Sequence, residues 1–445
     1  MTKNHNPLAD RYNFGKIILY TLPNMLMMVF TSFYTIVDGM FISRLAGEIA
    51  LSATNMYYPV MSIQWGIGVM LGTGGSAIIA RKLGQKSDRE AREDFTMLSL
   101  VTFVAGLLFE VICLSFLEPI LKALGTSPSQ MADARAYAIG TLLFSPMMFL
   151  YMVFQVYFVT AGKPKLGLWL SVAGGVVNII LDWLFMGPFN MGIAGAAIAT
   201  GLGWSVLSIF ALVYFTLKRH GTLYFVKFSF RKKVLLKSCS NGSSEMVSNV
   251  AIGVTTFLFN ILFMRFWQES GIATITILSY YQFVFNSLFL GFSMGIAPVI
   301  SYKYGAGDIR QLKTVTRDSL LFVTLASIGV WLLSHATIDM TLLFFTDPGS
   351  EVYNIAMEGF DIYSLQFLFT GISIMASAIF TALSNGLISG FISFGRTFLF
   401  LVGCLLTLPE IFGKLGVWMA CPIAEFLGFV AAAILLIANR KKYNY

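Results

Sequence analysis

The chain has 445 residues, 57% of them hydrophobic and only 12% charged, with a mean hydropathy of +0.76. So apolar a sequence cannot close over one water-soluble core and must use lipid as solvent, as helices or as a closed barrel. The net charge of +8 comes from basic residues placed between apolar segments, with no basic tail or separate basic domain, which argues against a nucleic-acid partner.

Apolar windows predict twelve helical spans, near residues 15–43, 50–80, 95–117, 130–160, 165–187, 192–217, 236–266, 271–301, 312–335, 350–382, 388–408 and 413–438. A barrel would show short alternating segments instead. The polar residues ahead of the first span lack the features of a secretory signal, so Met1 is expected to begin the mature chain. With that end inside, alternate connections divide Lys and Arg 24 to 5, from Lys3 to Lys442 on one side against Arg44, Lys122, Arg135, Arg265 and Lys414 on the other; Arg396 lies within a span. Both termini are therefore expected in the cytoplasm of a multi-pass plasma-membrane protein. Residues 1–217 read as an N-terminal lobe, 218–235 as a basic cytoplasmic linker and 236–445 as a C-terminal lobe. Sliding the chain on itself by 221 to 223 residues sets Gly84 on Gly305, Tyr57-Tyr58 on Tyr280-Tyr281 and Gly192 on Gly413. Six spans per copy make the repeat parallel, and the fold expected is an all-α membrane protein of two pseudo-symmetric lobes around a central cavity.

Taken in order, span 1 carries Pro23, where a ladder hydrogen bond is lost and the helix can bend, and then Asp38 roughly 8 Å from its outer end. Asp182 in span 5 and Thr200 in span 6 fall at similar depth, with Asn178 one turn below Asp182 on the same face. Charges inside spans mark ion paths. Two carboxyls, an amide and a hydroxyl suit a proton or a hard monovalent cation such as Na⁺. The second copy has Asn260 opposite Asp38, Gly403 or Cys404 opposite Asp182, and Cys421 or Pro422 opposite Thr200, so this site would belong to the first lobe alone. Glu245 in span 7 and Glu425 in span 12 share a depth nearer the cytoplasm and are second-lobe candidates for a pair. Glu358 and Asp361 read as a wet outer vestibule, and the abundant Met residues suit a promiscuous apolar pocket.

Some motifs mislead. Gly291-Phe-Ser293-Met-Gly295 imitates a nucleophile elbow, and Gly66 to Gly75 a phosphate cradle, but neither follows a strand, and close helix packing accounts for both. No GxxxxGK[ST] exists, so transport would be secondary, with no cofactor. The scattered His5, His220 and His335 and four unpatterned cysteines give no metal, redox or catalytic set.

Phe158-Val-Thr-Ala-Gly-Lys-Pro-Lys, Val177-Asn-Ile-Ile-Leu-Asp182, Gly192-Ile-Ala-Gly-Ala-Ala-Ile-Ala-Thr200 and Ile36-Val-Asp38-Gly-Met-Phe-Ile are similar to the multidrug and toxic compound extrusion (MATE) family. The resemblance covers nearly the whole chain. It implies a cation-coupled (Na⁺ or H⁺) antiporter that exports small organic, often cationic or amphipathic, compounds by alternating access; a monomer in membrane lipid is expected. Under it, Asp38, Asn178, Asp182 and Thr200 match the family's first-lobe cation site, Tyr137 a neighbouring polar residue and Pro23 the bending proline. The alternative is a lipid-linked oligosaccharide flippase of a related two-lobed fold, disfavoured because few basic residues lie within spans. The repeat also disfavours a channel.

Overall fold

A computed structural model describes residues 6–445; Met1, Lys3 and His5 lie outside the described residues. The helices are α1 (Phe14–Phe41), α2 (Glu48–Gly84), α3 (Asp88–Ser115), α4 (Leu117–Ala123), α5 (Met131–Leu142), α6 (Ser145–Thr160), α7 (Pro164–Met186) and α8 (Gly192–Leu217), then α9 (Lys232–Gly305), α10 (Ile309–Phe345), α11 (Glu351–Ser364), α12 (Phe367–Ala382), α13 (Gly386–Phe394), α14 (Leu401–Phe412) and α15 (Lys414–Tyr443). No strand occurs among the described residues.

Among the described residues, nine helical stretches are long and apolar enough to cross a membrane unaided, and α5 with α6 and α11 with α12 add two crossings bent by 56° and 51°. Pro146, at the start of α6, accounts for the first bend, since its ring cannot continue α5. The 74-residue α9 is two crossings, because Gln268 breaks it with φ 58° and ψ −144°. Counting both arms of α9, the described residues make the twelve crossings that the apolar windows predict. α9 already begins at Lys232, inside the 218–235 stretch expected as linker.

The repeat is written in the backbone as well as in the letters. Gly192 and Gly413 enter their helices at φ 57° and 58°, and Lys86 and Gly307 turn at 61° and 68°. Gln268 is the repeat partner of Gly47, which takes φ 94° and ψ 171° between α1 and α2. The hinge between the first two crossings of each lobe is thus the same device, built with glycine in one copy and with a strained non-glycine in the other.

The lobes meet through glycines. A Cβ on Gly84 would overlap the Tyr302 carbonyl, and one on Gly305 the Arg81 carbonyl, so α2 and the second arm of α9 cross backbone to backbone. The first arm of α9 meets α2 in the same way at Gly74 and Gly242, against Ser238 and Met70. The pseudo-symmetric contact places Met25 Cα 2.7 Å from the position a Gly291 Cβ would take, and Asn24 Nδ2 donates to the Gly291 carbonyl at 2.6 Å. The false nucleophile elbow is therefore a packing seam. The contacts at Gly84, Gly305, Gly74 and Gly242 lie towards the end of the bundle that carries both the N-terminal turn and the end of α15.

Candidate functional site

Three helices of the first lobe are brought together by small residues, and the polar side chains follow from that approach. A Cβ on Gly174 would stand 2.6 Å from the Gly203 carbonyl oxygen, and one on Gly203 would stand 3.0 Å from Asn178 Cβ, so α7 and α8 cross in van der Waals contact. Asn178 lies one turn beyond Gly174 and Thr200 about one turn before Gly203. That register lets Asn178 Nδ2 donate to Thr200 Oγ1 at 3.4 Å. Gly175, the next residue on α7, leaves room for α1: its Cβ would meet the Phe30 ring at 2.6 Å and the Tyr34 ring at 3.5 Å. Asp38 is one turn past Tyr34 and Asp182 two turns past Gly175, so the carboxyls meet at one depth.

The carboxyls of Asp38 and Asp182 are close enough to interact directly, and the Asn178 side chain neighbours Asp182. Asp182 is wholly buried, Asn178 is 2% exposed and Thr200 7% exposed. Asp38 Oδ1, both Asp182 carboxyl oxygens and Asn178 Oδ1 are buried with no protein donor. Two ionised carboxylates only accept hydrogen bonds, so their close contact requires a proton or a small cation to bridge them. This oxygen-only set contains no sulfur or imidazole, and it fits H⁺ or a hard ion rather than a transition metal. No cluster of three or more His, Cys, Asp or Glu suited to a metal ion occurs among the described residues.

Tyr137 is buried within electrostatic reach of both aspartates, and its ring meets Tyr57 edge-on at 6.1 Å. Beside Asn178 and Thr200 lies a cavity of about 10 Å³, walled by Tyr34, Tyr151 and Trp204. That is room for about one water or one dehydrated monovalent ion. Sequence reasoning passed over Tyr34 and Trp204, although each stands one turn from a residue it singled out, Asp38 and Thr200. Just beyond Asp38, α1 ends in a π-turn, Ile42–Ala46, a form that recurs at functional positions. Pro23 is buried inside α1, which continues helical on either side of it.

The second lobe departs from one expectation. Glu425 does not pair with Glu245; its Oε1 accepts from Arg396 Nη1 at 3.0 Å, both side chains being 12% exposed. A guanidinium neutralises a buried carboxylate where a second acid could not. Arg396 sits on a π-turn, Gly395–Phe400, with its stem against Gly428. Glu245 instead lines a cavity of about 30 Å³ between the lobes, with Thr73, Ser76, Ser293 and Thr381. Glu358 and Asp361 are exposed, and Asp361 stands 3.6 Å from His335.

The MatE family profile matches residues 23–184 and again residues 246–406, one copy in each half. The chain is 24% identical over 436 residues to the multidrug export protein MepA of Staphylococcus haemolyticus (strain JCSC1435), covering 96% of this chain and 94% of that protein. It is 25% identical over 441 residues to MepA of Staphylococcus aureus (strain NCTC 8325 / PS 47), with the same coverage. In structure it resembles a multidrug resistance MATE family transporter of the MOP superfamily in an outward-facing conformation, with a TM-score of 0.91 and 22% identity over 100% of this chain and 98% of that one. A MOP superfamily transporter from Pyrococcus furiosus follows at TM-score 0.88 and 21% identity, again covering 100% and 98%. With the family pattern matched in both halves and the whole helical fold shared, this membrane protein belongs to the MatE family of multidrug and toxic compound extrusion transporters.

Proposed function

We propose that this transporter is a cation-coupled antiporter. It exports small organic, often cationic or amphipathic, compounds by alternating access, driven by inward movement of H⁺ or Na⁺ through the first lobe. The observation that carries this reading is the group of four buried acceptor oxygens on Asp38, Asp182 and Asn178 that have no protein donor. A site of that composition is satisfied only while a cation occupies it, so its occupancy changes the energy of the packing between α1, α7 and α8. Transport of organic compounds is supported by the names of the MepA relatives, which are multidrug export proteins. The excess of Lys and Arg on the face with both chain ends supports a cytoplasmic position for that face, in a protein of the plasma membrane. A lipid-linked oligosaccharide flippase is not favoured, since it calls for a cationic cavity and the one between the lobes is lined by Glu245 and hydroxyls.

The test is uptake of a fluorescent organic cation into liposomes under an imposed Na⁺ or pH gradient. One gradient should drive flux in the wild type, and Asp38→Asn and Asp182→Asn should each abolish the dependence on it. Normal gradient-driven flux in both variants would refute the first-lobe assignment. Loss of ion dependence only in Glu245→Gln would move coupling to the second lobe.

A further inference from the structure

The first helix of each lobe starts from the opposite lobe. The stretch that leads into α9 lies on the first lobe, where Phe225 stacks on Phe95 at 5.1 Å and the Val226 amide donates to Thr96 Oγ1 at 3.1 Å. Arg231, the last residue before α9, donates to Asp94 at 3.2 Å and to Glu93, with Glu90 at 3.5 Å. Lys82, at the end of α2, completes the cluster, 2.6 Å from Asp94 and 2.9 Å from Glu90. Three turns later α9 is bound into the second lobe, with Asn241 Nδ2 donating to the Thr381 carbonyl at 2.8 Å and Gly386 seated against Ser240.

The chain start mirrors this. Lys303, 2% exposed on the second lobe, donates to the carbonyls of Ala9 at 3.0 Å and Asp10 at 2.8 Å, and the Tyr12 amide donates to Gln311 at 2.7 Å, just ahead of α1. A shift of 221 residues relates Lys82 to Lys303, Glu90 to Gln311 and Asp10 to Arg231. The two attachments are copies of one device, one of them ionic and the other built from a lysine on backbone carbonyls.

The ionic copy spans the seam at which Gly74 and Gly242 press α2 against the first arm of α9. Parting the lobes on this face must break that backbone contact and draw Arg231 away from α3. The cluster tolerates the loss, because Asp94, 1% exposed, keeps Lys82 as its partner and is not left as an unpaired buried charge. We propose that the Arg231 cluster is a latch on the cytoplasmic gate, closed in the state described here and released each time that face opens. The proposal rests on the alternating-access reading, but its test needs neither substrate nor ion gradient, so failure of the latch and failure of coupled transport are read separately.

The test uses a thiol placed under the seam. Ser238→Cys, in a Cys239→Ser background, puts a reporter where Gly75 now covers it, and its labelling by a membrane-impermeant maleimide in purified protein measures opening. Arg231→Gln should raise the labelling rate about five-fold, the population change equivalent to about 1 kcal/mol at 1.4 kcal/mol per factor of ten. Arg231→Lys should restore most of the protection, and Lys233→Gln, at an exposed neighbour, should change nothing. Equal rates in Arg231→Gln and its parent would overturn the latch. If Arg231→Gln does not fold, KCl raised from about 0.1 M to 1 M shortens the screening length from about 10 Å to 3 Å and should speed labelling of the parent. A flat salt response would equally overturn the proposal.

Discussion

Replacing Gly174 by alanine tests whether helix spacing holds the cation site. The new Cβ would lie 2.6 Å from the Gly203 carbonyl oxygen, against about 3.4 Å for ordinary contact, so α7 and α8 must separate by about 0.8 Å. The Asn178–Thr200 hydrogen bond, already 3.4 Å long, would then exceed 4 Å by about 0.2 Å and be lost. Overpacking of this kind costs about 1–3 kcal/mol in stability. The functional effect should be distinct, because misplacing one oxygen of an ion site by nearly an ångström weakens ion binding about tenfold or more. Reconstituted flux measured against the concentration of the driving ion should show half-saturation shifted upward by that factor, with little change in maximal rate. Gly203→Ala should act in the same direction, and the double variant should be less than additive, since both wedge one crossing. Gly403→Ala, at a position with open space around it, serves as the control. A Gly174→Ala protein that loses stability yet keeps its ion half-saturation would refute the argument that the crossing sets the site.

Other perturbations have equally definite outcomes. Gln268→Gly should raise the thermal midpoint in detergent, relieving about 1 kcal/mol of backbone strain at a hinge whose repeat partner is already Gly47; a lower midpoint would show that the side chain, not the turn, dominates there. Arg396→Gln should destabilise the second lobe by about 3–5 kcal/mol by stranding Glu425, while the Arg396→Gln/Glu425→Gln double variant should recover most of the loss in a denaturation series. Asn24→Ala removes a buried 2.6 Å hydrogen bond between the lobes, which should cost about 0.5–1.5 kcal/mol and speed thiol labelling at the seam. Unchanged labelling would mean the bond is remade within one lobe.

The number of crossings, their alternation and the repeat were legible in the sequence because lipid imposes one rule on every segment: about 20 apolar residues with all backbone groups paired internally. Charge in the connections adds an orientation by the same kind of local count. Asp38, Asn178, Asp182 and Thr200 stood out because polar groups are rare at such depth, and rise per residue alone set them at a common level. What the sequence could not supply was rotation and closeness between helices. Pairing of Glu425 with Arg396 rather than Glu245 depends on the π-turn that turns Arg396 inward, and hydropathy carries no trace of that turn. Tyr34 and Trp204 look like ordinary apolar-span residues until the Gly174, Gly175 and Gly203 crossings fix which way they face. The exchange of helix starts between lobes was equally hidden, because its contacts join Asp94 to Arg231 and Ala9 to Lys303 across most of a repeat or more. Depth and class follow from each segment's own solvent, whereas partners follow from packing, which only the folded chain decides.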